Sequence, residues 1–362
     1  MGWNETAVSR KLCITYPVIQ APMAGGITSP ELAAAVSGFG AMGSVGAGYL
    51  TAEQLKEQVV KIKGLTRKPF SVNLFVPEKE VYASEAEIKR MTDRFKQWGL
   101  PVEDLSYSDE ENCHNYEQQL EVILQQGVPV CSFTFGLPSK EAAAELKKSG
   151  RTVIGTATSV DEALMFEELG ADLIVMQGSE AGGHRGTFHH SQDAGVGTMS
   201  LIPQAADALR VPVIAAGGIA DGRGMAAAFM LGAEGVQMGS AFIPCTESGA
   251  AEAYKDKIIS STEDQTVLTK AFSGKYARGI TNDFIRKMEP YESDVLPYPM
   301  QNNLTKRLRS EAAEAGNTEN MSVWAGQGLR MIHEKVPADV FLNQLISQTE
   351  IRMKEASRYG SR

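Results

Sequence analysis

The stretch Leu173-Ile174-Val175-Met176-Gln177-Gly178-Ser179-Glu180-Ala181-Gly182-Gly183-His184-Arg185-Gly186 joins an apolar run to a glycine-rich loop. The run at 173–177 is continuously apolar until its last residue, which is typical of a parallel strand buried on both faces. The glycines let the backbone approach a ligand closely, and a histidine on such a loop has few core contacts to satisfy. The stretch therefore predicts a buried strand leading into a ligand-binding loop that carries His184; the alternative is a tight surface turn with a solvated histidine.

Eight short runs of this kind alternate along the chain with longer segments of helical periodicity. The predicted strands lie at 16–21, 40–44, 70–75, 128–133, 152–156, 173–177, 211–216 and 235–238. The predicted helices lie at 30–37, 52–63, 116–126, 139–149, 159–169, 199–209 and 222–231, several of them next to a Ser or Thr that can cap the first turn. Strict alternation of eight strands with helices predicts an α/β fold, a TIM (β/α)8 barrel, in preference to an open sheet.

Two segments do not follow this alternation. Residues 77–115, after the third strand, are polar and predict a mostly helical insertion with a solvated acidic loop at 106–111. Residues 245–362 predict a mostly helical C-terminal segment that packs on the barrel and on its active-site mouth. We therefore expect a barrel at 1–244 that carries the insertion, followed by this C-terminal segment.

The composition narrows the class of protein. Hydrophobic residues form 43% of the 362 residues, enough for a sizeable core. A net charge of −9 without a long basic run argues against a nucleic-acid partner. The sequence has no signal-peptide pattern and no apolar run of about 18 residues, so we expect a cytoplasmic protein without a membrane span. The four cysteines lie far apart and no metal-ligand spacing is present, so neither a disulfide framework nor a metal site is expected.

Glycines and polar residues follow the predicted strands at the end where the active sites of such barrels lie. They occur in Ala21-Pro22-Met23, at Asn73 and Gln177, and in the pairs Gly217-Gly218 and Gly239-Ser240. The two pairs follow the seventh and eighth strands, the usual phosphate position of the fold. Asp221 can cap the helix after the first pair, and loop amides favour an anion. The sequence therefore predicts a phosphate-bearing cofactor.

Several motifs together resemble the class I nitronate monooxygenases, the FMN enzymes formerly called 2-nitropropane dioxygenases. The matching runs are Ile19-Gln20-Ala21-Pro22-Met23-Ala24-Gly25, Val72-Asn73-Leu74-Phe75-Val76-Pro77, Cys131-Ser132-Phe133-Thr134-Phe135-Gly136, Gly155-Thr156-Ala157-Thr158-Ser159, the loop 177–186, Ala215-Ala216-Gly217-Gly218-Ile219, Gln237-Met238-Gly239-Ser240, Lys270-Ala271-Phe272-Ser273-Gly274-Lys275 and Tyr298-Pro299-Met300-Gln301-Asn302. The resemblance extends from about residue 10 to about residue 330. It implies a TIM barrel with non-covalently bound FMN.

The resemblance also implies roles for individual residues. His184 would be the catalytic residue and Tyr298 would line the substrate pocket. The expected cofactor-binding residues are Ala21, Pro22, Met23, Asn73, Gln177, Gly182, Gly217, Gly218, Gln237, Met238, Gly239 and Ser240. No metal is expected. We interpret Arg185, His189 and His190 as solvated loop residues; the alternative for Arg185 is that it adds positive potential to the site.

The implied activity is oxidation of alkyl nitronates, such as propionate 3-nitronate, by O2 to an aldehyde or semialdehyde plus nitrite or nitrate. It would use no NAD(P)H and would serve detoxification. His184 could steady the anionic nitronate by a hydrogen bond or as a cation, or act as a base on a neutral nitroalkane. The expected partners are the small anionic nitronate and O2, and the protein would be a monomer or a homodimer.

Three alternatives remain open from the sequence. The FMN- and NADH-dependent enoyl-acyl-carrier-protein reductases have the same fold and a similar Gly-Gly-His loop. An NADH:quinone reductase is related to both. A non-catalytic FMN-binding protein is the alternative of another class.

Overall fold

The computed structural model describes residues 2–78, 82–102, 105, 109–189 and 195–356. Its first nine strands are β1 (Val18–Gln20), β2 (Gly43–Gly46), β3 (Phe70–Phe75), β4 (Val130–Thr134), β5 (Thr152–Ala157), β6 (Leu173–Gln177), β7 (Gly183–His184), β8 (Val213–Ala216) and β9 (Gly235–Met238). All except β7 form one parallel sheet in the order β1-β9-β8-β6-β5-β4-β3-β2. A parallel bridge between Ile19 and Met42 connects its two edges. The predicted TIM barrel is confirmed, and the predicted strand ends agree within three residues.

Most of the helices surround this barrel. Those between the strands are α2 (Pro30–Phe39), α3 (Ala52–Leu65), α4 (Glu85–Gln97), α5 (Asp109–Gln125), α6 (Lys140–Lys148), α7 (Val160–Leu169), α8 (Thr198–Ala208) and α9 (Gly222–Met230), after an N-terminal α1 (Ala7–Leu12). Side-chain caps begin several of them, as when the Ser29 hydroxyl accepts the Leu32 N–H at 2.9 Å. Such caps are local sequence signals, which is why these starts could be predicted.

The inside of the barrel is filled by apolar side chains from its strands. Ile19, Val130 and Ile214 belong to this cluster, and each is at most 2% exposed. Val8 and Leu12 of α1 join the same cluster. Helix α1 therefore covers the barrel interior, a position that was not predicted from the sequence.

The C-terminal segment combines helices with two strands. Its helices are α10 (Glu252–Ser260), α11 (Asp283–Met288), α12 (Met300–Leu304), α13 (Lys306–Glu314) and α14 (Ala338–Ala356). Helix α14 packs against α9 and α2, so it supplies the outer helix that follows the eighth barrel strand. Within the described ranges, no helix is long and apolar enough to cross a membrane.

Strands β10 (Thr266–Thr269) and β11 (Ala277–Ile280) of this segment were not predicted. They form a three-stranded antiparallel sheet with β7, in which Ala277 is paired with His184 and Arg278 with Gly183. The C-terminal segment is thus attached by backbone pairing to the loop that carries the candidate catalytic histidine.

The insertion after β3 packs on the C-terminal segment. Met91 and Phe95 of α4 are fully buried in a cluster with Phe272 and Phe284, and the Phe95 and Phe284 rings lie 6.0 Å apart. The acidic loop predicted at 106–111 is wrong in its second half, because 109–111 form the first turn of α5. Residues 106–108 lie outside the described part of the chain.

Candidate active site

A cavity of about 670 Å³ lies at the carboxyl ends of the barrel strands. Eleven of the twelve residues expected to bind the cofactor line it, namely Ala21, Pro22, Met23, Asn73, Gln177, Gly182, Gly217, Gly218, Gln237, Gly239 and Ser240. Met238 is the exception: its side chain is 1% exposed and packs in the hydrophobic core. Side chains alternate in direction along β9, so that of Gln237 faces the cavity and that of Met238 faces the core. Only the backbone of Met238 is left to contact a ligand. The Met238 carbonyl accepts the Ala21 N–H at 2.8 Å.

One end of the cavity is suited to a phosphate. Gly217 has a φ of 113°, and a Cβ there would lie 2.9 Å from the Thr198 hydroxyl, so the chain requires glycine at this position. The Ser240 hydroxyl accepts the Gly326 N–H at 2.9 Å, which leaves its own hydrogen to donate to a ligand. These loops therefore form a cradle of backbone and hydroxyl donors.

The first turn of α9 is not part of this cradle. Asp221 caps the helix as expected, and its carboxylate accepts the N–H groups of Arg223 and Gly224 at 2.9 and 3.3 Å. The Gly222 N–H donates to the Gln348 side chain at 3.1 Å. Because these amides already have partners, a phosphate would be held by the loops after β8 and β9 and by the Ser240 hydroxyl.

A polar layer runs across strands β3, β4 and β5. The Asn73 carboxamide donates to the hydroxyls of Ser132 and Thr134 at 3.0 and 3.1 Å. Asn73 is 1% exposed and lines the cavity. Since both of its donor hydrogens are used, its oxygen is the atom left to accept a hydrogen bond from a ligand N–H.

Gln177 bonds to both ends of the segment that carries His184. Its side-chain NH2 donates to the His184 carbonyl at 3.1 Å, and its oxygen accepts the Gly186 N–H at 2.8 Å. The interpretation of Arg185 as a solvated residue is wrong, because it is 6% exposed and donates to the Gln177 carbonyl. Hydrogen bonds between Gln177 and residues 184–186 therefore fix the conformation of the loop that carries His184. His189 is exposed, and His190 lies outside the described residues.

His184 is not on a free turn, which corrects the expectation that it has few contacts. Its backbone lies in β7, its ring centroid is 6.0 Å from that of Phe135 and 5.5 Å from that of Trp324, and its Nε2 lies 2.8 Å from the Ser273 hydroxyl. That hydroxyl also lies 2.9 Å from the Lys275 carbonyl, which can only accept. Ser273 therefore donates to this carbonyl and accepts from Nε2–H. We assign the Nε2–H tautomer to His184 on this network, with Nδ1 as the acceptor.

The surroundings of His184 keep its ring neutral. Burial lowers its pKa to about 3, and the positive charges of Lys275 and Arg309 act in the same direction. Lys275 is 7% exposed, forms an ion pair with Glu78, and has its ammonium 4.3 Å from the centre of the Phe135 ring. Of the roles left open above, that of a cation is thus disfavoured for His184, and the positive potential comes from its neighbours.

Tyr298 lines a second cavity, of about 200 Å³, beside the first. Phe75 and Phe135 line both cavities and stand between them. The Tyr298 and Phe135 ring centroids are 6.5 Å apart. Tyr298 is therefore behind the aromatic wall of the main cavity, and Lys275 lines the same second cavity.

The C-terminal segment contributes several side chains that were not predicted as site residues. Trp324, Asn302, Lys306 and Arg309 line the main cavity. Asn302 belongs to a run that matches the family, but nothing in the local sequence marks the other three, because they reach the site only through the folding of the segment over the barrel. Among the described residues, no group of three or more His, Cys, Asp or Glu is arranged to hold a metal ion.

The fold and this cavity define a barrel enzyme with its site at the carboxyl ends of the strands. A family model described as nitronate monooxygenase matches residues 6–348. A probable nitronate monooxygenase of Bacillus subtilis is 49% identical over 345 residues, covering 94% of this chain and 97% of the relative. The chain belongs to the nitronate monooxygenase family and is an oxidoreductase, which confirms the resemblance.

Two solved structures are similar over almost their whole length. The nitroalkane oxidase of Streptomyces ansochromogenes has a TM-score of 0.89 and 38% identity, covering 96% of this chain and 99% of that one. FabK of Thermotoga maritima has a TM-score of 0.79 and 32% identity, covering 98% and 99%.

Proposed function

We propose that this protein is an FMN-dependent nitronate monooxygenase that oxidises alkyl nitronates, such as propionate 3-nitronate, with O2. The products would be an aldehyde or semialdehyde plus nitrite or nitrate, no NAD(P)H would be consumed, and the reaction would serve detoxification in the cytoplasm. The observation that carries the proposal is a neutral, oriented His184 in a cavity lined by Arg309, which adds a positive charge without a carboxylate partner among the described residues. This arrangement suits a small anionic substrate.

The residues present fit FMN. The loops at Gly217-Gly218 and Gly239-Ser240 would hold its phosphate, and the Asn73 oxygen would accept a hydrogen bond from the N–H of its pyrimidine ring. The cavity volume of about 670 Å³ lies within the range of cofactor sites. When bound, FMN would supply the one-electron redox chemistry between nitronate and O2.

The tautomer of His184 leaves a lone pair on Nδ1 for the role of a base, and the lowered pKa makes the imidazole a weak base. With Nε2–H donated to Ser273, Nδ1 has a free lone pair at neutral pH. On a neutral nitroalkane, Nδ1 would take the proton from the carbon that bears the nitro group, and the C–H electron pair would remain as the nitronate. The nitronate formed in this way, or supplied as such, would be stabilised by the positive potential of Arg309.

The test is the visible spectrum of the anaerobic holoenzyme before and after addition of propionate 3-nitronate without NADH. We expect the oxidised flavin band to bleach. Bleaching only with NADH would favour an enoyl-acyl-carrier-protein reductase or an NADH:quinone reductase, and no bleaching with either would favour a non-catalytic FMN-binding protein. Either outcome contradicts the proposal.

A matched pair of variants tests the histidine. His184→Asn should retain FMN and lose turnover, whereas His333→Asn, a change at an exposed position, should behave as the wild type. Full activity in His184→Asn would exclude His184 as the catalytic residue. Sedimentation of the same samples would decide between monomer and homodimer.

A further inference from the structure

Arg309 of α13 is held in one position beside the main cavity. Its Nη2 donates to both the carbonyl and the side-chain oxygen of Asn302 at 2.8 Å, and its Nε donates to the Thr305 hydroxyl at 3.1 Å. Asn302 lines the cavity together with Arg309. Because these bonds use one edge of the guanidinium, Nη1 has no partner among the described residues and is left for a ligand.

No acid among the described residues neutralises the charge of Arg309. Within the described part of the chain, Arg309 forms no ion pair with a carboxylate. Burial lowers its pKa, and the groups that oppose this effect are the hydroxyls of Tyr49 and Tyr298 rather than an acid. A half-buried guanidinium without a counter-ion is costly unless an anion binds to it.

Arg309 lies in the part of the cavity expected for the substrate rather than beside the site expected for the cofactor phosphate. Arg309 influences the titration of His184 and of Tyr49, and Tyr49 also lines the cavity. The phosphate cradle has other neighbours, namely Thr198 at Gly217 and Gly326 at Ser240. An anion at Arg309 would therefore share the part of the cavity that contains the catalytic histidine.

We propose that Arg309 is a specificity-determining residue that binds a carboxylate at the far end of the substrate, so that the enzyme selects nitronates bearing a carboxylate over simple alkyl nitronates. The planar fork of a guanidinium matches a carboxylate, and Nη1 of a fixed arginine binds it without further ordering of the side chain. The inference rests on the proposed function, because it assigns the substrate class of the same site.

The experiment compares propionate 3-nitronate with propyl 1-nitronate, which has the same chain length and no carboxylate, on the holoenzyme. In Arg309→Met, kcat/KM for propionate 3-nitronate should fall about 10- to 100-fold, mainly through KM, as expected for loss of a charge-assisted hydrogen bond. For propyl 1-nitronate kcat/KM should fall less, because this substrate loses the positive potential of Arg309 but no carboxylate contact. The matched control is Arg307→Met, since Arg307 is an exposed residue of α13 paired with Glu311.

Arg309→Lys keeps the charge and loses the fork, so it should show an intermediate loss of the preference for the carboxylate. If Arg309→Met does not fold, Arg309→Lys is the variant that tests the proposal. An unchanged preference for propionate 3-nitronate in Arg309→Lys, together with unchanged binding of the carboxylate, would overturn the proposal. Equal losses for both nitronates, or no loss for either, would overturn it as well. A weaker affinity for FMN with an unchanged substrate preference would assign Arg309 to the cofactor phosphate instead.

Calorimetric binding of propionate to the oxidised holoenzyme separates this inference from the proposed function. Wild type and Arg307→Met should bind propionate at least about 10-fold more tightly than Arg309→Met. If the wild type oxidises neither nitronate but shows this difference, the proposed function fails and the carboxylate subsite stands. Equal binding by all three proteins would refute the subsite.

Discussion

Acidification should destabilise this protein through His184 in particular. In the folded chain, burial lowers the pKa of His184 to about 3, from an ordinary value of 6.5. Below pH 6.5 the unfolded chain therefore binds one proton that the folded chain does not bind. The free energy of unfolding is then highest above pH 6.5 and falls as the pH is lowered towards 3.

The size of the effect follows from the two pKa values. Each pH unit well below 6.5 costs up to about 1.4 kcal/mol, so His184 alone should remove about 2 kcal/mol of stability between pH 8 and pH 5. Other groups also titrate in this range. The informative quantity is therefore the difference between the wild type and His184→Gln, in which a side-chain amide can still donate to Ser273 but has no proton to gain.

The assay is urea unfolding from pH 8 to pH 5 at a fixed excess of FMN. The wild type should lose about 2 kcal/mol more than His184→Gln over this interval. His333→Gln, a change at an exposed histidine, should follow the wild type at every pH. Parallel curves for the wild type and His184→Gln would refute the reasoning, because they would mean that the His184 ring is protonated in the folded state as readily as in the unfolded chain.

Three further changes test the structure around the site. Gly182→Ala places a Cβ 2.4 Å from the Gly326 nitrogen, so it should cost about 1–3 kcal/mol of stability and weaken FMN retention, measured by thermal unfolding and by flavin release. Glu162→Gln alters a fully buried carboxylate that accepts four hydrogen bonds, so it should lower the free energy of unfolding by at least about 2 kcal/mol. The control is Glu168→Gln, an exposed position on the same helix, which should leave the free energy of unfolding unchanged. Equal effects of the two changes would contradict this account. Ser273→Ala removes the hydrogen bond that orients the catalytic imidazole, so kcat should fall about 10-fold with FMN affinity unchanged, and an unchanged kcat would show that the tautomer does not matter.

The barrel strands were predictable because each one is a local pattern. A parallel strand covered on both faces has to be apolar along its length, and the runs at 70–75, 173–177 and 235–238 end where the sequence indicates. The position of the candidate site followed from the same pattern, since active sites of such barrels lie at the carboxyl ends of the strands. Individual side chains were harder to place: Met238, one residue after Gln237, packs in the core because neighbouring residues of a strand face opposite sides.

The surroundings of His184 could not be predicted from the loop that carries it. Its partner strand β11 is more than 90 residues away, and a two-residue strand such as β7 has no periodicity to detect. For the same reason Arg185 was taken for a solvated residue, although it is buried. Long-range pairing converts an apparently flexible turn into a fixed one.

By itself, the amino-acid sequence determined the barrel, the family and the loops that line the cavity, because buried strands, helix caps and glycine-rich turns are recorded in short stretches of residues. Only the tertiary structure decided the electrostatics of the site. Burial keeps His184 neutral, the charges of Lys275 and Arg309 act in the same direction, and Ser273 sets the tautomer; these three residues lie 89 or more positions further along the chain. Burial and charge depend on distance in space, and residues so distant in sequence become neighbours only when the C-terminal segment folds over the barrel.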